Sequence, residues 1–354
     1  MTFWTSRRRR YAIIGGISLA LVVGLILQAE PQRLAAELSR ADMGLIGLAV
    51  VLFILSIVMR AARWHLLLVA SEHRVRARTV LSQYAVAQAL NDLTPVKVVG
   101  EGARVVGVNR EEGVPIGTAL ATVVTEKVMD LVLVTAVLLA SVLLLFADVP
   151  LRPWAGLAFV TGLVAAANVA VIIGLSRPGA AAWAGRVARR ITGRYDEEWA
   201  RKAEVEIDRT VRSFEGAVLA SGRSHRGLTA LAAAMTLPIW GLEFARLALI
   251  MAALGTVASL PAVVVASSLA LTVQVFLPAG SGNVAAITDV LSGMGIALTT
   301  ATAAGLLSVA TSIWISVPVA LLALALAGRG GEGAGTMEEV SERGTGASDQ
   351  PEGR

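Results

Sequence analysis

Six runs of predominantly apolar residues, 11–29, 43–59 (extendable toward 70), 115–147, 154–175, 227–255 and 299–327, constrain this chain more than any motif in it. The hydrocarbon core of a bilayer takes about 20 such residues as a helix. Inside lipid every backbone N–H and C=O must be satisfied within the protein, and runs of this length do that as helices. The expected fold class is therefore all-α: a polytopic membrane helix bundle of about six full spans. Composition agrees, since 55% of the 354 residues are hydrophobic and only 16% are charged, against about 25% in an ordinary soluble domain.

The same composition removes several function classes. A pI near 10.2 invites a nucleic-acid reading, but the basic residues sit in short blocks between apolar runs, without aromatic interleaving, so no nucleic-acid partner is expected. In membrane proteins such blocks set orientation. There is no Cys, which excludes disulfides, thiolate catalysis and cysteine-held metals. His65, His73 and His225 lie at the edges of apolar runs with no ligand spacing. No metal and no other cofactor is expected.

Arg7–Arg10 ahead of the run 11–29 have the outline of a signal peptide. The spans that follow favour a first transmembrane helix instead. By the positive-inside rule, Arg7–Arg10, the segment 60–78 with Arg60, Arg63, Arg74, Arg76 and Arg78 against Glu72, and the stretch 176–226 with eleven Lys or Arg against seven acids all face the cytoplasm. Two spans separate each from the next, so the three alternate consistently, and the C-terminus also falls inside. This predicts a multi-pass protein of the cell membrane with both termini cytoplasmic. Within 176–226, Ile207, Val211, Phe214 and Val218 fall on one helical face; the helix lies either on the membrane surface or against other cytoplasmic segments. The Gly-rich, polar stretch 328–354 has no apolar period and reads as a disordered tail, leaving one domain over 1–327.

Two further segments, 79–93 and 261–277, are shorter or more polar, and each runs into a Pro and a Gly-bearing break. They read as broken or re-entrant helices. Tyr84, Gln88, Asn91 and Asp92 form a polar stripe on the first. Pro95, Gly100, Glu101, Gly102 and Arg104 follow. Irregular backbone at membrane depth is tolerated only where protein or water satisfies it; an ordinary surface loop is the alternative. The second segment is followed by Pro278, Gly280, Gly282 and, later, Asp289. Interrupted segments in corresponding halves point to a midplane site between inverted repeats.

Charges within spans are costly and mark candidate sites. Glu243 and Arg246 lie near the middle of the run 227–255 on one face, with Pro238 a turn upstream. A structural ion pair locking the bundle is the competing reading. Glu126 and Asp130 share a face in the long run 115–147, with Lys127 beside them. Snorkelling of all three at the cytoplasmic interface is the alternative there.

Arg60-Ala61-Ala62-Arg63-Trp64, Asn91 to Pro95, Gly100-Glu101 with Arg104, Glu111-Gly113-Val114-Pro115, and Glu126-Lys127 with Asp130 occur in an order and spacing that resembles the lysylphosphatidylglycerol synthase transmembrane-domain family, also called flippase-like. The resemblance carries over residues 60–130; beyond that it is one of hydropathy and span layout, with Glu243 in a matching helix. The family's late Pro-Gly-Gly-x-Gly-x-x-Glu pattern is kept only as Pro278, Gly280 and Gly282, with Ala285 where the Glu belongs and Asp289 a turn later. The resemblance implies translocation or handling of a membrane lipid with a polar or phosphate headgroup, such as a phospholipid or a polyprenyl-phosphate carrier. It implies no lysyl-lipid synthesis, because nothing the size of the soluble synthase domain follows residue 327.

The candidate headgroup-binding residues are Asn91, Asp92, Pro95, Gly100, Glu101, Arg104, Glu126, Asp130, Glu243, Arg246, Gly280 and Gly282. Arg104 and Arg246 suit an anionic phosphate. Two alternatives belong to other classes. One is a membrane enzyme or accessory factor on a polyprenyl-phosphate or glycolipid substrate, weakened by the lack of a DDxxD-type run. The other is a scaffold anchoring a glycosyltransferase or lipid synthase through 176–226.

Overall fold

The computed structural model describes residues 22–94, 98–147, 155–176, 186, 205–217, 225–273 and 280–345. Among them every regular element is a helix and none is a strand. In chain order these are α1 (22–28), α2 (Pro31–Arg40), α3 (Met43–Ala70), α4 (Ala77–Leu93), α5 (Val98–Glu112), α6 (Ile116–Ala147), α7 (Ala155–Ser176), α8 (205–217), α9 (Arg226–Ala253), α10 (Leu260–Val273), α11 (Ser281–Gly293) and α12 (Leu298–Thr345). Three of them, α3, α9 and the Leu298–Leu326 part of α12, are long and apolar enough to cross a membrane. The helix α6 has 32 residues, about 48 Å at 1.5 Å per residue, and carries three charges in its first half. Of the run 11–29, residues 11–21 fall outside the described residues and 22–28 form α1. The helix α12 continues to Thr345, through residues whose composition suggests a structureless tail.

Local chemistry sets several helix ends. Asp42 caps α3, its carboxylate accepting from the backbone N–H of Gly44 (2.7 Å) and Leu45 (3.2 Å). The Asp42 backbone N–H donates to the Ala253 carbonyl at 2.9 Å, so the start of α3 meets the end of α9 and the two helices pack antiparallel. Gly113, at φ 70°, terminates α5. Its N–H returns to the Asn109 carbonyl (3.0 Å), and the Asn109 amide donates to the Val114 carbonyl (2.8 Å). Pro115 then starts α6 in a position where a missing N–H costs nothing.

Two apolar cores result. One joins α3, α4, α5 and α6 through Phe53, Ile57, Trp64, Leu68, Val80, Val108 and Val123. The other joins α9, α10, α11 and α12 through Leu247, Ile250, Val265, Leu269, Ile287, Leu291 and Ala304. The amphipathic helix α8 packs on the first turn of α6. A side chain at Gly117 would run into the Thr210 carbonyl and Ser213, and Thr118 donates to the Ser213 carbonyl at 3.5 Å.

Both interrupted segments appear as a helix, a break and a second helix: α4 into α5, and α10 into α11. Pro95 and Pro278 fall between the helices of each pair in the sequence and lie outside the described residues. Arg60 and Arg63 lie in the extension of the run 43–59 toward 70, which is helical. They sit inside α3, with Arg63 fully buried, because carboxylates from other helices meet them. Only Arg74, Arg76 and Arg78 remain as basic residues between α3 and the first turn of α4.

Candidate functional site

Helical spacing brings polar side chains from four helices to one place. Arg63 and Trp64 follow each other on α3, Tyr84 points inward from α4, Glu101 and Arg104 lie one turn apart on α5, and Glu126 and Asp130 lie one turn apart on α6. Arg63 forms a two-pronged pair with Asp130, Nη1 to Oδ1 at 2.7 Å and Nη2 to Oδ2 at 3.0 Å, and donates also to Glu126 (3.0 Å) and Thr236 of α9 (3.1 Å). Arg104 donates to Glu126 at 2.9 Å and to Glu101 at 2.7 Å. Its guanidinium lies over the rings of Trp64 (4.7 Å) and Tyr84 (4.8 Å). The Tyr84 hydroxyl gives Glu126 a further hydrogen bond at 3.1 Å. Arg63, Arg104 and Glu126 are at most 1% exposed.

The snorkelling alternative therefore fails for Glu126 and Asp130, which turn inward; of the three, only Lys127 has an exposed side chain. That side chain is 42% exposed and meets Glu101 at 2.8 Å. The Glu101–Lys127 pair is one partly open end of the network.

The other end lies on α9. Glu243 receives Arg246 Nε at 3.2 Å, the Ser56 hydroxyl at 3.1 Å and Arg60 Nη2 at 3.4 Å. Arg246 also donates Nη1 to the Ser308 carbonyl (3.0 Å) and to Thr311 (3.1 Å) on α12, which ties α9 to that helix. The spacing that pairs Glu243 with Arg246 is visible in sequence; Arg60 and the α12 contacts are not. Trp240 joins the two ends: its N–H donates to Asp130 at 3.0 Å, and Arg60 sits 5.4 Å from its ring centroid.

The remaining candidates divide. Asn91 is a positioning residue, since its amide oxygen accepts the Gly100 N–H at 2.9 Å and its amide nitrogen reaches Glu101 at 3.4 Å. Gly100 permits the close approach of α5 to α4, where a Cβ would run into the Ala87 carbonyl and Asn91. Gly102 faces open space. Asp92 accepts from Gln88 on its own helix at 3.1 Å. Gly280 caps α11 at φ 75° beside Val309, with Gly282 just after it, and no described hydrogen bond or ion pair links either to the charged network. Asp289 is exposed. Among the described residues no three of His, Cys, Asp and Glu are placed to hold a metal ion, and each carboxylate of the network is engaged by Arg or Lys.

A family model described as the lysylphosphatidylglycerol synthase TM region matches residues 13–320. The chain belongs to that family. Its match spans both interrupted helix pairs and every residue of the charged network. No curated protein and no solved structure matches the chain. Family membership and the apolar helices make this a membrane protein related to lipid synthases and flippase-like proteins. Arg60, Arg63, Trp64, Tyr84 and Trp240 join the network from outside the candidate headgroup-binding set; the Arg-Ala-Ala-Arg-Trp motif and the polar stripe at Tyr84 are the sequence signals for the first four, and no motif marks Trp240.

Proposed function

We propose that this protein moves a lipid's polar, phosphate-bearing headgroup across the bilayer. The observation that carries the reading is the network itself: mixed charges on α3, α5, α6 and α9, buried within an apolar bundle and partly open at Glu101–Lys127 and at Arg60–Glu243. Isolated ions at that depth are prohibitively costly, so each must be paired or meet a polar ligand. A headgroup that enters such a bundle exchanges its hydration for these groups while its acyl chains stay in lipid. The fully buried centre of Arg63, Arg104 and Glu126 holds the helices together, and the two open ends are where ion pairs separate with least loss.

The architecture proposed with it is six spans and two interrupted helix pairs arranged as inverted repeats, in the cell membrane, with both termini cytoplasmic. Orientation is tested by labelling Arg186→Cys, the only thiol in an otherwise Cys-free chain. Labelling from outside intact cells overturns it.

Function is tested in liposomes carrying a headgroup-labelled phospholipid, by following loss of signal to an impermeant quencher. Wild-type protein is expected to expose inner-leaflet lipid, and Glu101→Gln to slow this about tenfold while melting close to wild type. The substitution removes a charge shared by the half-exposed Lys127 and by Arg104, which keeps Glu126, without removing apolar packing. A rate equal to that of protein-free liposomes overturns the reading. Chemical conversion of the lipid, seen by mass spectrometry, replaces it with the enzyme reading.

A further inference from the structure

The network contains one cation too many. Arg63 pairs with Asp130, Arg104 with Glu126, Lys127 with Glu101 and Arg246 with Glu243. Arg60 is left over. Its Nη2 shares Glu243 with Arg246 at 3.4 Å, long for a charged hydrogen bond, and this is its sole hydrogen bond among the described residues. An arginine has five N–H donors. Arg63 uses its two terminal nitrogens for four contacts, Arg104 is held between two rings and two carboxylates, and Arg246 is committed to the α12 backbone. Arg60 alone is both 14% exposed and almost unspent.

Trp240 makes this spare charge specific. Its N–H is fixed on Asp130, so its ring orientation is set from behind. Arg60 lies over that ring, 5.4 Å from its centroid, and a guanidinium held over an aromatic face keeps N–H donors free to bind two oxygens at once, the geometry in which arginine holds phosphate. We propose that Arg60 receives a phosphoryl oxyanion, with Trp240 as its positioning residue and Glu243 as its resting partner. The inference rests on the translocation reading and deepens it, by naming the residue that holds the headgroup phosphate. Arg246, the more evident phosphate partner in the sequence, instead braces α9 against α12.

The shared chemistry is a phosphoryl group, carried either by a lipid or by free phosphate. The test measures binding to purified protein in neutral detergent of three probes: phosphatidylglycerol, diacylglycerol with the same chains, and inorganic phosphate. Wild type is expected to prefer the phospholipid over diacylglycerol at least tenfold. Arg60→Gln is expected to erase that preference, and Arg60→Lys, which keeps the charge but not the fork, to recover only part of it. Glu243→Gln releases Arg60 and is expected to tighten phospholipid binding severalfold. Competition by inorganic phosphate that disappears in Arg60→Gln supports the site with the free anion sufficient; lack of competition, with the lipid preference still dependent on Arg60, supports it for the lipid alone. Undiminished preference in Arg60→Gln overturns the proposal. So does a melting temperature that falls as far as that of Arg63→Gln, because Arg60 is then a structural ion. Should Arg60→Gln fail to fold, Arg60→Lys decides: full wild-type preference overturns the fork. Liposomes separate this inference from the function beneath it. Arg60-dependent binding without lipid movement sinks translocation and keeps the site; lipid movement unaffected in Arg60→Gln sinks the site and keeps translocation.

Discussion

The two interrupted helix pairs have the same outline and opposite chemistry. In α4–α5, helices of 17 and 15 residues flank a short break, and in α10–α11 helices of 14 and 13 residues do the same. The first pair supplies Tyr84, Glu101 and Arg104 to the ion network. The second contributes Val263, Val265, Ala266, Leu269, Ile287 and Leu291 to an apolar core, and its one acid, Asp289, points outward. Glycine serves both breaks, through close approach at Gly100 and through a left-handed turn at Gly280. Backbone layout and site chemistry are therefore separable: packing needs the break twice, whereas only one pair gives charge to the network.

The largest expected effect breaks the charged side of this comparison. Arg63→Met leaves Glu126 and Asp130 short of their shared partner in a buried setting and should cost about 3–5 kcal/mol, read as a collapse of thermal stability in detergent. If Arg63→Met melts like wild type, the network is not what holds the first half together.

Next come the break glycines, where the two pairs should behave alike. Gly100→Val forces α5 away from α4, and Gly280→Val adds a left-handed strain to a clash with Val309; each should cost roughly 1–3 kcal/mol. Gly102→Ala is the control. Its Cβ meets nothing within 4 Å, so helix propensity should make it neutral or stabilising by about 0.5–1 kcal/mol. A tolerated Gly100→Val, beside a harmful Gly280→Val, would show that the pairs differ in packing as well as in chemistry.

A smaller effect is tied to pH. Glu112 at the end of α5 accepts from Arg76 (2.8 Å) and Thr79 (2.5 Å) at the start of α4. Burial pushes its carboxyl up, but the hydrogen bonds from Thr79 and Arg76 and the guanidinium charge outweigh this and hold it below the usual carboxylate value. A lowered folded-state pKa contributes stability that is present above the unfolded value, about 4.3, and lost as pH falls through the folded one. Glu112→Gln should thus lower stability by about 0.5–1 kcal/mol at pH 7, with the gap to wild type closing below about pH 4. A gap that persists at pH 3 would assign the loss to packing.

The smallest effect is expected in the apolar pair. Asp289→Asn changes an exposed charge without a described ion pair and should stay within about 0.5 kcal/mol of wild type. A larger loss would reveal a polar role that the second pair does not show.

Much of the architecture was legible from local pattern. Apolar run length located α3, α9 and α12, the Pro/Gly breaks located both interrupted pairs, and the face shared by Ile207, Val211 and Phe214 located α8. The i, i+3 spacing paired Glu243 with Arg246. Tertiary structure chose between readings that sequence left open: α8 lies on the first turn of α6 at Gly117, and Glu126 and Asp130 turn into the bundle. It also supplied the partners of Arg60 and Arg63, which hydropathy cannot show because it weighs each residue with its sequence neighbours, whereas these carboxylates are 183 residues away at Glu243 and 63 and 67 residues away at Glu126 and Asp130. Sequence by itself determined which segments form helices long and apolar enough to cross a membrane, since apolar transfer depends on local composition and length. Which charges end buried, and which one is left over, depended on neutralisation between helices that only packing brings together.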